Sequence, residues 1–336
     1  MTGIANAWKI TGGLLTLLLL LAAATVGAYG WYVTSAWNDK RTLVEDPSIA
    51  EELAPAPRAP GSGHQTAPNA PMNILLLGSD SRLENVDYTS ARGFRTDTIM
   101  VLHIPSDRQG FQVISIPRDS WVEIKGYGRA KINAAAAYGG LALSIETISD
   151  FIDAGIDHVA IVDFAGLEEL TDAVGGVDVY SDTAFTNGSS TFVKGPNHLD
   201  GAAALEFVRA RKQFADGDLQ RVRNQQEFLA NFSSKLMSPD LLLHPAKLAR
   251  SITNFSQYVT TDKGLDSALI IDVARDFSGG SSAAVDYATA PIAGAGEADD
   301  GQQYLVVDDE GLADLRQAFA EDSLADYIDE AGDQQL

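Results

Sequence analysis

The sequence predicts an α/β sandwich around a mixed sheet, carried behind one N-terminal helix that crosses a membrane. Three observations predict it. No residue between Ile10 and Asn38 is charged, which is long enough for a membrane-spanning helix. Beyond Met72, short apolar runs bounded by turn residues recur, as strands do. Between them apolar residues recur at helical spacing, and strands alternating with helices build layered α/β domains.

Taken in order, residues 1–9 read as a cytoplasmic N-terminus and residues 10–36 as a signal-anchor helix. Leu14 to Ala24 is almost purely Leu and Ala, and Tyr29, Trp31, Tyr32 and Trp37 follow as an interfacial aromatic belt. Small residues from Ala22 to Gly27 also offer a cleavage site. The apolar segment, however, exceeds a signal core, and the belt beyond it would then have no role. Lys9 on one side faces Lys40 and Arg41 on the other, so the positive-inside rule leaves the orientation open. Residues 37–71 read as a Pro/Ala-rich linker, because 45–71 holds six of the chain's twelve prolines.

The folded domain is expected over 72–321. Asn73–Leu77, Thr98–Ile104 and Phe111–Ile116 are the first three strands. Asn133 is placed as the cap of a helix whose Leu141, Ile145, Ile148 and Ile152 repeat at helical spacing. A strand at Val159–Val162, a helix at Leu167–Val174 and a strand at Val177–Tyr180 follow, then helices at Leu205–Arg209 and Leu219–Phe232. Residues 322–336 read as an acidic, frayed tail.

Composition excludes several functions. There is no cysteine, hence no disulfide, thiolate catalysis or cysteine-bound metal. A net charge of −22 argues against a nucleic-acid partner. The five histidines form no HExxH, and neither a G-x-S-x-G elbow nor a P-loop occurs. Positive charge is nonetheless concentrated. Ten of the fifteen arginines lie between Arg82 and Arg129 or between Arg209 and Arg223, which reads as a local cationic site on an acidic protein.

Three polar groups sit at predicted strand ends: Gly78-Ser79-Asp80-Ser81-Arg82, Arg95-Thr96-Asp97 and Pro117-Arg118-Asp119. Ligands of α/β sheets gather there. Asp80 and Asp97 have the chemistry to share a hard divalent cation, and each also has the chemistry merely to cap a turn or pair with an arginine. Asp218, Arg221 and Gln225 fall on one helical face. Arg209 and Arg211, two apart, reach one ligand only if the chain leaves helical geometry between them. Several guanidiniums around one locus suit a pyrophosphate; a surface salt-bridge lattice with Asp216 and Asp218 is the plainer alternative.

Together these motifs resemble the LytR-CpsA-Psr family of cell-wall glycopolymer transferases. The resemblance is carried by MNILLLGSDSR, RTDTIMVLHI, VISIPRDSWVEI, KINAAAAYGG, VDFAGLEELTDAVGGVDV, LDGAAALEFVRARK and DLQRVRNQQEFL, in that order across the motif core, residues 72–232. It implies a three-layer αβα domain outside the cytoplasm, on a single-pass anchor in the cell membrane. The implied activity transfers a glycopolymer from a polyprenyl-pyrophosphate-linked donor onto a peptidoglycan hydroxyl as a phosphodiester, releasing polyprenyl phosphate. Asp80 and Asp97 would hold Mg²⁺ (or Mn²⁺), with Arg118 and Arg221 completing the catalytic set. Arg95, Arg118, Lys131, Arg209, Arg211, Arg221 and Gln225 would grip the pyrophosphate. Many relatives carry Arg at the place of Asn224. A pyrophosphatase acting on the same donor and a non-catalytic polyprenyl-phosphate-binding regulator are the rival functions.

Overall fold

A computed structural model describes residues 34–35, 37–53, 70–79, 96–214, 218–236, 253, 256–276 and 285–333. The expected anchor over 10–36 lies outside them apart from Thr34 and Ser35. No helix among the described residues is long and apolar enough to cross a membrane.

In chain order the elements begin with β1 (Thr42–Leu43), α1 (Pro47–Glu52), β2 (Met72–Ser79), β3 (Thr96–Ile104), β4 (Phe111–Ser115), β5 (Trp121–Ile124), β6 (Gly128–Lys131) and α2 (Ala134–Ile152). There follow β7 (His158–Asp163), α3 (Phe164–Ala173), β8 (Val177–Ser181), β9 (Phe185–Asn187), β10 (Ser190–Phe192), β11 (Gly195–Leu199), α4 (Gly201–Arg209) and α5 (Asp218–Leu236). The last are β12 (Val259–Thr261), α6 (Ser267–Asp276), β13 (Val285–Thr289), β14 (Ile292–Glu297), β15 (Gln303–Val307), α7 (Asp309–Glu321) and α8 (Leu324–Asp333).

The central sheet has seven strands in the order β1-β12-β7-β2-β3-β4-β13. It is mixed: β2 runs parallel to β7 and antiparallel to β3, and β13 runs parallel to β4. Alternation along β2 sorts its residues between the two faces. Leu75 and Leu77 join Ile99, Val101, Ile114, Ile116, Val159 and Ile161 in the main core, against α2, α7 and α8. Ile74 and Leu76 face the other way, with Leu265 and, from α6, Leu269 and Val273. Helices thus cover both faces, as the apolar runs predicted. The stripe Leu141, Ile145, Ile148 and Ile152 is fully buried in the main core. Asn133 precedes α2 as expected, but its side chain makes no capping bond. A second core, with Phe185, Phe192, Phe207 and Phe228, unites α3, α4, α5 and the short strands β8 to β11.

Two boundaries differ from the expectation. Folded structure begins well before Met72. Thr42 and Leu43 pair with Thr260 and Thr261, Ile49 is buried in the main core, and the Trp37 indole donates to Leu265 O at 3.2 Å. Composition averaged over the segment concealed this, because the one proline within residues 37–53, Pro47, opens α1 behind its cap Asp46, a position where proline is favoured. Residues 322–333 of the acidic tail are not frayed either. They hold α8, whose Leu324 is 1% exposed in the main core beside Ile328. Its carboxylates line the solvent side and mask an apolar stripe.

At the sheet edge nearest β1, Asp262 is buried. Burial opposes its charge, but hydrogen bonds from His158 Nδ1 (3.0 Å) and the N–H groups of Val159 and Gly264 outweigh that and hold the carboxyl below its ordinary pKa. A depressed carboxyl stabilises the fold above its unfolded pKa of about 4, and this contribution is lost as pH falls through the lower folded value. Asp262→Asn is therefore expected to lower stability at neutral pH by about 1–3 kcal/mol and to flatten the acid limb of a stability profile. An unchanged acid limb would assign the loss of stability below pH 4 to other groups.

Candidate functional site

The site lies where the polar strand ends meet one rim of the sheet. On β2, Gly78 pairs with Thr98 and Ser79 with Thr96, so Asp97 is the extra residue of a β-bulge. Bulges re-aim the chain and recur beside active sites. Ser79 also pairs with Asp163 at the end of β7. Beyond β4 the chain continues the rim, Ile116 N–H donating to Ile99 O at 2.9 Å, and then reaches Arg118 and Asp119.

Lys131 is brought back to this point by the hairpin of β5 and β6. Gly126 and Gly128, both at positive φ (80° and 76°), make its turn, a conformation that glycine adopts without strain. Trp121 then pairs with Lys131, and Ile132 N–H donates to Ser120 O at 2.8 Å. Arg211 arrives from a separate direction. Helix α4 ends at Arg209, and Ala210 is extended (φ −61°, ψ 124°), so the chain leaves helical geometry between the two arginines, as a shared ligand would require.

What these approaches have in common is Asp119. Its Oδ1 lies 3.1 Å from Lys131 Nζ, and its Oδ2 lies 3.4 Å from an Arg211 guanidinium nitrogen and 3.8 Å from Arg118 Nε. The Asp119 side chain is 10% exposed while those of Arg118, Lys131 and Arg211 are 18%, 22% and 42% exposed. The carboxylate therefore lies beneath and the cations face outward. Among the described carboxylates Asp119 is the one that these three cations share, and Arg118 and Arg211 make further contacts besides it. Such an array, with forked guanidiniums that stay protonated, binds phosphate oxygens. Sequence reasoning gave Asp119 no role. The signal was present in Pro117-Arg118-Asp119, but an acid beside an arginine reads as a local pair until the fold delivers Lys131 and Arg211.

Arg221, read from the sequence as sharing a helical face with Asp218 and Gln225, is not at the surface. It is 6% exposed, because α4 packs across α5 and covers the side that carries Arg221, Gln225 and Phe228. There the amides of Gln225 and Asn224 donate to Val208 O and Phe207 O, both at 3.3 Å, tying α5 to the helix that ends at Arg209. Arg209 is half-buried at the C-terminus of α4, where a cation complements the helix dipole. Asp80 and Arg95 lie outside the described residues, as do the side chains of Asp97 and Asp218. Among the described residues no group of three His, Asp or Glu is placed to hold a metal. The two candidate carboxylates, one following Ser79 and one in the bulge opposite it, supply the oxygen chemistry that Mg²⁺ takes together with substrate phosphate.

The LytR_cpsA_psr family model matches residues 35–321. The chain is 37% identical over 203 residues to a polyisoprenyl-teichoic acid–peptidoglycan teichoic acid transferase, TagU, of Bacillus cereus (strain AH820), a match covering 58% of this chain and 64% of that protein. It is 35% identical over 270 residues to the probable cell wall biosynthesis protein LcpB of Corynebacterium glutamicum, covering 77% of this chain and 61% of that one. The chain thus spans somewhat under two thirds of the length of these relatives. Among solved structures, B. subtilis TagV superposes with a TM-score of 0.63 at 27% identity, covering 76% of this chain and 98% of TagV. TagT bound to LI-WTA shares the fold, with a TM-score of 0.61 at 24% identity over 80% of this chain and 96% of TagT. With the family model matching from Trp37's neighbourhood to the end of α7, and with the motif cations gathered at one rim, the chain belongs to the LytR-CpsA-Psr family.

Proposed function

We propose that this chain is a membrane-anchored phosphotransferase that moves a glycopolymer from a polyprenyl-pyrophosphate carrier onto a peptidoglycan hydroxyl outside the cytoplasm. The observation that carries the reading is the cation cluster on Asp119 at the strand-end rim, next to the bulge at Asp97. The names of relatives such as TagU and LcpB, a teichoic acid transferase and a probable cell wall biosynthesis protein, point the same way.

In the reaction, an acceptor hydroxyl oxygen bonds to the glycan-bearing phosphorus, the bond from that phosphorus to the bridging oxygen breaks, and polyprenyl phosphate departs. The hydroxyl proton passes to solvent or a nearby base. Charge builds on the equatorial and leaving oxygens, and stabilising it where it develops is the main demand on such a site. Arg118, Lys131 and Arg211 do this as an array fixed in advance by Asp119, with Arg209 and Arg221 as further phosphate ligands and Gln225 beside them. A bound Mg²⁺, held by Asp80 and Asp97, would supply Lewis-acid neutralisation of the phosphate oxygens.

The test is transfer of label from a radiolabelled polyprenyl-pyrophosphate glycan to peptidoglycan oligomers, using the full chain in detergent with and without Mg²⁺. Covalent label on the acceptor supports transfer. Free glycan phosphate instead indicates a pyrophosphatase, and donor binding without turnover a regulator. Asp97→Asn is expected to lower turnover and to raise the half-saturating Mg²⁺ concentration at least about tenfold; an unaltered metal requirement would remove Asp97 from the ligand set.

A further inference from the structure

On the flank of α5 opposite Arg221 and Gln225, a cleft of about 370 Å³ opens between that helix, β8 and β13. Its size falls within the range of sites for small ligands, roughly 300–1,000 Å³. Two tyrosines line it, Tyr180 from β8, 55% exposed, and Tyr287 from β13. Between them stand Gln220, Arg223, Gln226 and Glu227.

These polar groups are set in position by the fold. Gln220 Oε1 accepts from Arg223 Nε and a terminal guanidinium nitrogen at 3.2 and 2.6 Å. Glu227 Oε1 accepts from Tyr180 N–H at 2.8 Å and from Asn231 at 2.9 Å. Gln226 Nε2 donates toward Ser115 Oγ, Ala288 O and Thr289 Oγ1, each at 3.1 Å. That anchors the cleft to the end of β4, from which the chain runs on to Arg118.

The lining selects a ligand class. One arginine stands against Glu227 and Asp182, so the cleft has no surplus positive charge for a phosphate. A lipid tail would find too little apolar surface beside so many polar groups. One exposed and one half-buried tyrosine, combined with planar amides, a guanidinium and a carboxylate, suit a molecule that has an apolar C–H face and a rim of hydroxyls. We infer that this cleft is a glycan subsite, holding sugar residues on the flank of α5 opposite Arg221 and Gln225. The inference rests on the phosphotransferase reading for its placement, and the sugars belong either to the donor polymer or to the peptidoglycan acceptor.

The two sources are separable with the full chain in detergent and three probes: bare polyprenyl pyrophosphate, the same carrier bearing an N-acetylhexosamine disaccharide, and a phosphate-free muropeptide disaccharide. Tyr180→Ala and Arg223→Gln change exposed side chains, so both variants should melt as the parent does. Each is expected to weaken one glycan probe about tenfold and to leave the bare carrier unchanged. Loss confined to the glycosylated carrier identifies donor sugars, and loss confined to the muropeptide identifies the acceptor. Parental affinity of both variants for both glycans overturns the inference. Failure of the parent to bind bare carrier would instead sink the phosphotransferase reading, while the glycan probes still decide the cleft.

Discussion

Replacing Asp119 with asparagine is expected to remove most transfer activity and to lower the melting temperature, through contacts made only inside the protein. The carboxylate lies under Arg118, Lys131 and Arg211 and draws all three together. Breaking a buried ion pair costs about 3–5 kcal/mol, and the partial exposure of the three cations reduces this to roughly 2–3 kcal/mol. For a domain of this size that is a fall of about 5–10 °C. Without the anion the cations repel one another and spread. Displacing a charge-stabilising group by about 1 Å costs on the order of a hundredfold in rate. Arg211→Gln removes the most exposed member and should depress turnover with little change in melting. If Asp119→Asn melts early but transfers at the parental rate, the cluster is structural and the phosphates bind elsewhere.

Ending the chain at Glu321 should have the largest effect on stability of any short truncation. The deletion removes Leu324 and Ile328 from the main core, and burial of such side chains contributes about 1.5–3 kcal/mol each. It also removes Asp322, whose carboxylate receives Ser106 N–H at 3.0 Å and lies 2.8 Å from His103 Nε2. Nδ1 of the same buried imidazole lies 2.7 Å from Asn73 Oδ1 on β2. Losing a charged partner there adds roughly 1–3 kcal/mol, for a sum that approaches the whole stability of an ordinary domain, about 5–15 kcal/mol. The expected product is insoluble or melts more than about 10 °C early. Removing only residues 334–336 should leave the melt unaltered, and a truncation at Glu321 that melts normally would show that α8 contributes nothing to the core.

The sheet was legible because β2, β3, β4 and β7 are apolar runs ended by turn residues, and α2 because its stripe is uninterrupted. The hairpin of β5 and β6 was not, since Glu123, Lys125, Arg129 and Lys131 alternate with few apolar neighbours and the pairing depends on a glycine turn. Helix α8 was hidden by its charge, which reports solvent on one face and says nothing of Leu324 and Ile328 on the other. Among site residues, the cations could be named from motif and charge. What joins them could not, because Asp119 meets Lys131 and Arg211 through contacts distant in sequence. The burial of Arg221 escaped notice for the same reason: helical spacing puts residues on a common face but does not say what packs against it.

The early start of the fold bears on how the proposed transferase would meet its substrate. A flexible linker over 37–71 would have let the domain wander some 30 Å from the bilayer, as a chain of about 35 residues does. Instead Trp37, Arg41 and β1 are fastened to the loop before α6 and to β12. If the proposed anchor ends at residue 36, the domain is mounted on the membrane with almost no slack. Its tilt is then a property of the fold, and the sugar-bearing head of a membrane-held carrier would be offered to the rim at one height and from one side.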